Sequence, residues 1–289
     1  MKNFTEAIPT PDELVEIVSG CEIIVAMRER TRFDAALLAR LPRLKLLITT
    51  GMRNSAIDVG TASAHGISVC GTRALSTPAP ELTWGLLLAL ARNIPADVAS
   101  VRGGEKWQTR IGASLSGKTL GIIGLGKIGA QIARYAHAFE MTVLAWSRHL
   151  TEEMCQAAGA ELAPGMDALL QRADIVTLHI VLTDSTRGIL GARELGLMKP
   201  TGLLVNTSRG PLIDETALVQ TLTQNRIAGA ALDVYDMEPL PREHPLRTLP
   251  NVVATPHIGY VTRENYQLFY NDAVEDIRAW LKGQPIRTL

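Results

Sequence analysis

The chain has 289 residues, enough for one large domain or two ordinary ones around a sizeable core. Its apolar fraction is 46% and its aromatic fraction 4%, so Ala, Leu, Ile and Val build the interior, as suits an α/β protein. With 29 basic and 29 acidic residues the formal charge is zero, and there is no basic field for nucleic acid or an anionic membrane.

The amino-terminal stretch MKNFTEAIPTPDEL has no apolar run and does not read as a signal peptide. Helices are expected over 11–19, 33–40 and 55–65, alternating with strands at CEIIVAM (21–27), LKLLIT (44–49) and ISVCGT (67–72). A helix from Glu81 to about Arg92 follows; apolar all round, it is expected to be buried between domains or subunits. Its most apolar part, Leu82 to Ala91, is far short of the ~20 residues that cross a membrane. Cys21, Cys70 and Cys155 are far apart without CxxC spacing, and read as small buried hydrophobes rather than a disulfide frame or a zinc site; no metal is expected.

From Leu120 to His257 short β-rich runs recur: LGII (120–123), TVLAW (142–146), DIVTLHI (174–180), LLVNTS (203–208), GAALDVY (229–235) and VVATPH (252–257). Helical stretches such as 128–139 and 215–225 lie between several of them, the latter capped by Asp214. This alternation means βαβ units and a parallel sheet covered on both faces. TRENYQLFYNDAVEDIRAWLKG reads as one long amphipathic helix at the carboxyl end. The expectation is a soluble cytoplasmic protein of two α/β domains. Residues 83–261 form a dinucleotide-binding domain, and 1–82 with 262–289 form a smaller domain from both chain ends.

GLGKIG (124–129) matches G-x-G-x-x-G between a strand and a helix. Gly124 allows the tight turn, Gly126 lets a pyrophosphate approach the backbone, and Gly129 lets helix and strand pack closely. The helix start at Lys127 and Ile128 offers free N–H groups to phosphate. An acidic residue for the adenosine ribose is usual about 20 residues further on. Ser147 and Arg148 stand there instead, with no carboxylate before Glu152. An arginine favours a 2′-phosphate, so NADP(H) is expected over NAD(H); the alternative is an Arg148 that stacks on adenine or points to water, with NAD(H) accepted.

NTSRG (206–210), DVYDMEPLP (233–241) and TPHIG (255–259) each end an expected strand, which is where open parallel sheets hold ligands. They bring Arg209, Glu238 and His257 to one crevice. Arginine offers a planar fork to a carboxylate. Histidine donates or accepts a proton at a carbonyl or alcohol, and a neighbouring glutamate favours the imidazolium.

In GKTLGIIGLGKIG, DIVTLHIVLTDSTRGILG, MKPTGLLVNTSRGPLIDE, GAALDVYDMEPLP and LPNVVATPHIG the chain resembles the D-isomer-specific 2-hydroxyacid dehydrogenase family, over most of its length from about Leu44. The resemblance implies a Rossmann-type domain plus a smaller flavodoxin-like substrate domain. It implies a dehydrogenase forming a D-2-hydroxy acid from a 2-oxo acid, and a homodimer joined near the helix 81–92 and VRGGEKWQTR. Arg209, Glu238 and His257 take the catalytic roles by motif. Asp233 would hold the nicotinamide carboxamide, Thr207 and Gly259 would lie along the cofactor, and VLTDSTRG would line its adenosine side. A dinucleotide-sensing scaffold or a truncated inactive relative is the alternative.

The chain departs from the family pattern in three places, of which the Pro80 that precedes Glu81 reads as neutral. Its start reads as lacking the first βα unit, which would leave an exposed sheet edge. The substrate loop, TTGMRNSAID (49–58), has Arg53 where the family has a second glycine. Backbone N–H groups of Gly51, Met52, Arg53 and Asn54 are still expected to hold the substrate carboxylate. Arg53 is expected either to add a cation for a larger or second anionic group, or to turn outward to solvent.

Overall fold

The structure is a computed structural model that describes Phe4, residues 10–105 and residues 107–289. Apart from Phe4, the first nine residues of the amino-terminal reading and Lys106 of VRGGEKWQTR lie outside the described residues. The chain forms two compact units, Met1–Leu75 with Val261–Leu289, and Ser76–Tyr260.

The smaller unit starts with α1 (Pro11–Val18), entered through a capping box in which Thr10 Oγ1 accepts the Glu13 N–H and the Glu13 carboxylate accepts the Thr10 N–H. It continues with β1 (Ile23–Ala26), α2 (Ala35–Leu38), β2 (Leu46–Thr49), α3 (Val59–Ala64) and β3 (Ser68–Gly71). The strands form a parallel sheet in the order β1-β2-β3, with Leu47 facing Ile24 on one side and Val69 on the other. Alternation splits β2 between two cores. Leu47 packs with Leu14, Leu37, Leu38 and Ile57. Leu46 and Ile48 face Ala273, Ile277 and Trp280 of the carboxyl-terminal helix, Arg263–Leu281.

An edge was expected to be open in this sheet, and the structure treats its two edges differently. At β3 the carboxyl-terminal residues pair antiparallel: the Gly71 N–H donates to Arg287 O (2.8 Å) and the Leu289 N–H donates to Val69 O (2.9 Å). Arg287 is tied to the terminal helix through Asp276 (Nε to Oδ1, 2.9 Å), Glu275 (3.1 Å) and the Asp272 carbonyl (2.9 Å). At β1 the only ladder among the described residues is the one to β2.

The larger unit contains α4 (Pro78–Ala91), α5 (Ile94–Gly103), β4 (Thr119–Ile123), α6 (Lys127–Ala138), β5 (Thr142–Trp146), α7 (Glu152–Ala157), β6 (Glu161–Leu162), α8 (Met166–Arg172), β7 (Ile175–Leu178), α9 (Ala192–Leu195), β8 (Leu203–Asn206), α10 (Glu215–Thr223), β9 (Gly229–Leu232) and β10 (Val252–Ala254); the terminal helix is then α11. Its seven strands are all parallel, in the order β10-β9-β8-β7-β4-β5-β6. The chain reverses its winding between β4 and β7, which makes the carboxyl ends of those strands the switch point where such sheets bind ligands. α4 and α6 cover one face with Trp84, Leu87, Ile132 and Ala136, while α8, α9 and α10 cover the other with Leu169, Leu195 and Leu218.

Two expectations are corrected here. The apolar helix starts at Pro78 rather than Glu81, because Pro78 and Pro80 both fit a first turn whose N–H groups need no partner. Its burial arises within its own unit: it lies along β8, β9 and β10 and against α6. It therefore belongs whole to the larger unit, whose boundary falls after Leu75 rather than after Leu82. Among the described residues, no helix is long and apolar enough to cross a membrane.

Candidate functional site

The glycine-rich turn leaves β4 and enters α6 at the switch point. Gly124 has φ +101°, where a side chain is strained, and a Cβ there would press on the His179 carbonyl 2.6 Å away. A Cβ on Gly129 would overlap the Gly124 carbonyl, so helix and turn approach as only glycine allows. A Cβ on Gly126 would meet nothing within 4 Å. That open space lies at the amino end of α6, where Lys127 and Ile128 are exposed and the first N–H groups have no carbonyl a turn earlier. These residues fit a pyrophosphate. At the end of β5 the Gly124 N–H donates to Trp146 O (2.9 Å), so the residues that follow, half-buried Ser147 and exposed Arg148, leave the sheet beside the turn. Arg148 Nη2 reaches the Ser185 carbonyl (3.5 Å), at a turn knit together by the hydroxyls of Thr183, Ser185 and Thr186.

The second cluster gathers at the ends of β8, β9 and β10. His257 Nδ1 and Glu238 Oε2 are 2.5 Å apart, and the Tyr235 N–H donates to the other Glu238 oxygen (3.0 Å). Burial would raise the Glu238 carboxyl. The His257 hydrogen bond and charge, the Tyr235 N–H and the nearby Arg209 charge outweigh it and hold the carboxyl below the ordinary glutamate value. His257 sits at φ +53°, a left-handed conformation costing about 1–3 kcal/mol that the surroundings must impose. The buried Asp233 imposes it from both flanks, accepting from Thr255 Oγ1 (2.6 Å), the Ile258 N–H (2.8 Å) and the Gly259 N–H (2.8 Å). Burial pushes the Asp233 carboxyl up, against the pull of those three donors and of His257.

Arg209 leaves β8 through a turn organised by buried Asn206. Its amide donates to Arg209 O (2.9 Å) and its Oδ1 accepts the Ser208 N–H (3.0 Å). Next to Arg209, Gly210 lies flat against the backbone of Tyr235 and Asp236 with no room for a Cβ. The arginine's segment and the glutamate's loop are thereby packed together. Thr207 Oγ1 meets Thr83 Oγ1 of α4 (2.6 Å). Asn206 and Gly210 enter the sequence reading only as parts of a motif; Asn206 braces residues two and three positions on, while the backbone that Gly210 meets lies too far along the chain for any spacing rule to find.

In the smaller unit, Gly51 has φ +91° and its N–H donates to Thr72 Oγ1 (2.8 Å), so that group is already engaged, contrary to expectation. The N–H groups of Met52, Arg53 and Asn54 meet no acceptor among the described residues. The Asn54 side chain is used within the loop, donating to Arg28 O (2.7 Å) and Thr49 Oγ1 (2.8 Å) and accepting from the Ala56 N–H (2.9 Å). Arg53 is exposed. The guanidinium of Arg28, which the sequence reading did not single out, fills the space beside Gly51 that a Cβ would take.

Comparison with known proteins matches residues 84–259 to the family model "D-isomer specific 2-hydroxyacid dehydrogenase, NAD binding domain". The chain is 40% identical over 277 residues to D-3-phosphoglycerate dehydrogenase of Methanocaldococcus jannaschii, covering 95% of this chain and 52% of that protein. It is 40% identical over 262 residues to glyoxylate reductase of Aeropyrum pernix, covering 88% of this chain and 78% of that one. The crystal structure of a phosphoglycerate oxidoreductase from Vibrio cholerae superposes with a TM-score of 0.91 at 37% identity, covering 97% of this chain and 90% of that one. The chain thus spans about half the length of the archaeal phosphoglycerate dehydrogenase it matches.

Proposed function

The chain belongs to the D-isomer specific 2-hydroxyacid dehydrogenase family, and from that premise we propose that it reduces a 2-oxo acid to a D-2-hydroxy acid with a nicotinamide dinucleotide. The observation that carries this reading is the 2.5 Å pairing of His257 with Glu238, beside Arg209 and at the same carboxyl end of the parallel strands as the glycine-rich turn. The bound dinucleotide supplies the hydride. The protein's own residues do the rest. Arg209 grips the substrate carboxylate and polarises the neighbouring carbonyl. His257 gives its proton to the keto oxygen as that oxygen becomes an alcohol, and takes one back in the reverse direction. Glu238 holds the ring by Nδ1, leaving Nε2 for the substrate. Asp233 anchors the His257 turn and stands where a carboxamide would be recognised. Met52, Arg53 and Asn54 offer backbone N–H groups to an anion.

Arg148 supports NADP(H) as the preferred cofactor. A second copy of the chain is the proposed partner. Ile94, Val98 and Val101 form an exposed apolar stripe along α5, continued by Trp107 (77% exposed) and Ile111 (98% exposed), and a second copy would bury it.

The test is turnover. Purified protein is mixed with NADPH or NADH and a panel of glyoxylate, hydroxypyruvate, pyruvate and bulkier 2-oxo acids. Cofactor oxidation with at least one acid is expected. Cofactor binding without turnover across the panel would instead favour a sensor or an inactive relative.

A further inference from the structure

A second histidine–glutamate pair lies behind the first. Glu215, the first residue of α10, and His244 are both mostly buried, with Oε1 and Nε2 3.1 Å apart. His244 Nδ1 accepts the Leu246 N–H (3.3 Å), so a neutral ring carries its proton on Nε2 and donates it to Glu215. The other Glu215 oxygen accepts the Asp236 N–H (3.1 Å).

We propose that Glu215 and His244 are positioning residues: together they clamp both ends of the 235–241 loop and so aim the Glu238 carboxylate at His257. The loop enters at Asp236, held by Glu215. It leaves at Leu240 and Pro241. There the His244 N–H donates to Pro241 O (3.1 Å), while Arg247 donates to Pro241 O (2.8 Å) and Leu240 O (2.5 Å). Between the two ends stands Glu238, with one oxygen on the Tyr235 N–H, next to the clamped Asp236, and the other on His257. Glu215 is a fixed point, because α10 starts at the Asp214 cap, where Asp214 Oδ1 accepts the Ala217 N–H (3.0 Å). Burial and the charges of Glu215 and Asp214 push the neighbouring Asp236 carboxyl up, against Arg187 and His244, and Arg247 adds a further charge at the loop's exit. Neither clamp residue bonds His257. Their effect passes through the loop backbone, and small displacements of a catalytic group cost rate steeply.

The inference rests on the acid–base reading of Glu238 and His257, and the experiment separates the two. In protein labelled with carboxyl-¹³C glutamate, the Glu238 resonance is assigned by its loss in Glu238→Gln, and its titration is followed in the wild type, Glu215→Ala and His244→Asn. His244→Asn keeps an acceptor for the Leu246 N–H but not the reach to Glu215. It serves if Glu215→Ala does not fold. In either folded variant the Glu238 titration should move up, toward the ordinary glutamate value, as its bonds to Tyr235 and His257 loosen. Turnover of the 2-oxo acid substrate should fall roughly 10–100-fold, with the dinucleotide Kd unchanged. An unmoved Glu238 titration in the folded variants would overturn the clamp, whatever the activity. A moved titration in a chain that turns over no 2-oxo acid would uphold the clamp and sink the dehydrogenase reading.

Discussion

Gly210 and Tyr235 meet backbone to backbone, so that a Cβ on Gly210 would overlap the Tyr235 carbonyl. This contact packs the turn carrying Arg209 against the loop carrying Glu238. Gly210→Ala should push them apart. We expect kcat/KM to fall by roughly 100-fold with the dinucleotide Kd little changed, because the glycine-rich turn is untouched. Steady-state kinetics with a fluorescence titration of NADPH checks this. Near-normal kcat/KM in the variant would mean that the two segments need not stay in register.

His257→Asn should lower kcat by roughly 10²–10⁴-fold, the usual worth of a general acid–base group, while dinucleotide binding persists. The pH profile adds a signed test. Glu238 is held below its ordinary value, so its contribution is present at neutral pH and is lost as pH falls through that lowered value. The acid limb of kcat/KM due to Glu238 should therefore lie below the ordinary glutamate range, and it should be missing in Glu238→Gln. An acid limb that persists unchanged in Glu238→Gln would assign it to another group.

Cofactor choice should turn on Arg148. It is exposed at the end of β5 and reaches the 183–186 turn. Arg148→Ala should raise KM for NADPH roughly tenfold or more, the scale of a lost charge-assisted hydrogen bond, and leave KM for NADH alone. A wild-type enzyme that prefers NADH would refute the assignment at the outset.

Asp276 is buried in α11, one of its oxygens has no hydrogen-bond partner among the described residues, and burial pushes its carboxyl up to about 6 despite Arg287. Asp272 and Glu275 add to the rise. A carboxyl raised on folding favours the protonated form. Its cost is therefore absent below the unfolded value, grows as pH rises toward 6, and is complete above it. Asp276→Asn should stabilise the chain by roughly 1–3 kcal/mol near pH 7.5, and the gain should vanish near pH 4. Denaturant melts at the two pH values check the sign. A gain that grows on acidification would contradict it.

Much of this architecture could be read along the chain. The β-rich runs from 120 to 257 became strands because continuous apolar runs suit a sheet covered on both faces, and Asp214 caps its helix as its spacing suggests. Glycine spacing between a strand and a helix located the tight turn at the switch point of the sheet. Short elements were missed. β6 is two residues long, and α5 is split from α4 at Asn93, whose φ of +54° no local pattern announces. At the candidate site, the residues proposed to perform the chemistry were visible by type and motif. Their supports were not: Gly210, Glu215, His244 and Arg28 earn their places through partners that only folding brings near. Asp233 was expected to face a ligand, yet its oxygens also fasten the turn that carries His257.

The seat of α11 on the small sheet makes thiol chemistry a gauge of its own state. Cys70 has no exposed surface, packs with Leu46, Ile48 and Ala273, and burial raises its thiol to about 11. While α11 stays seated, an alkylating reagent should find it inert. The rate of Cys70 labelling would therefore report how often α11 lifts from the strands unaided.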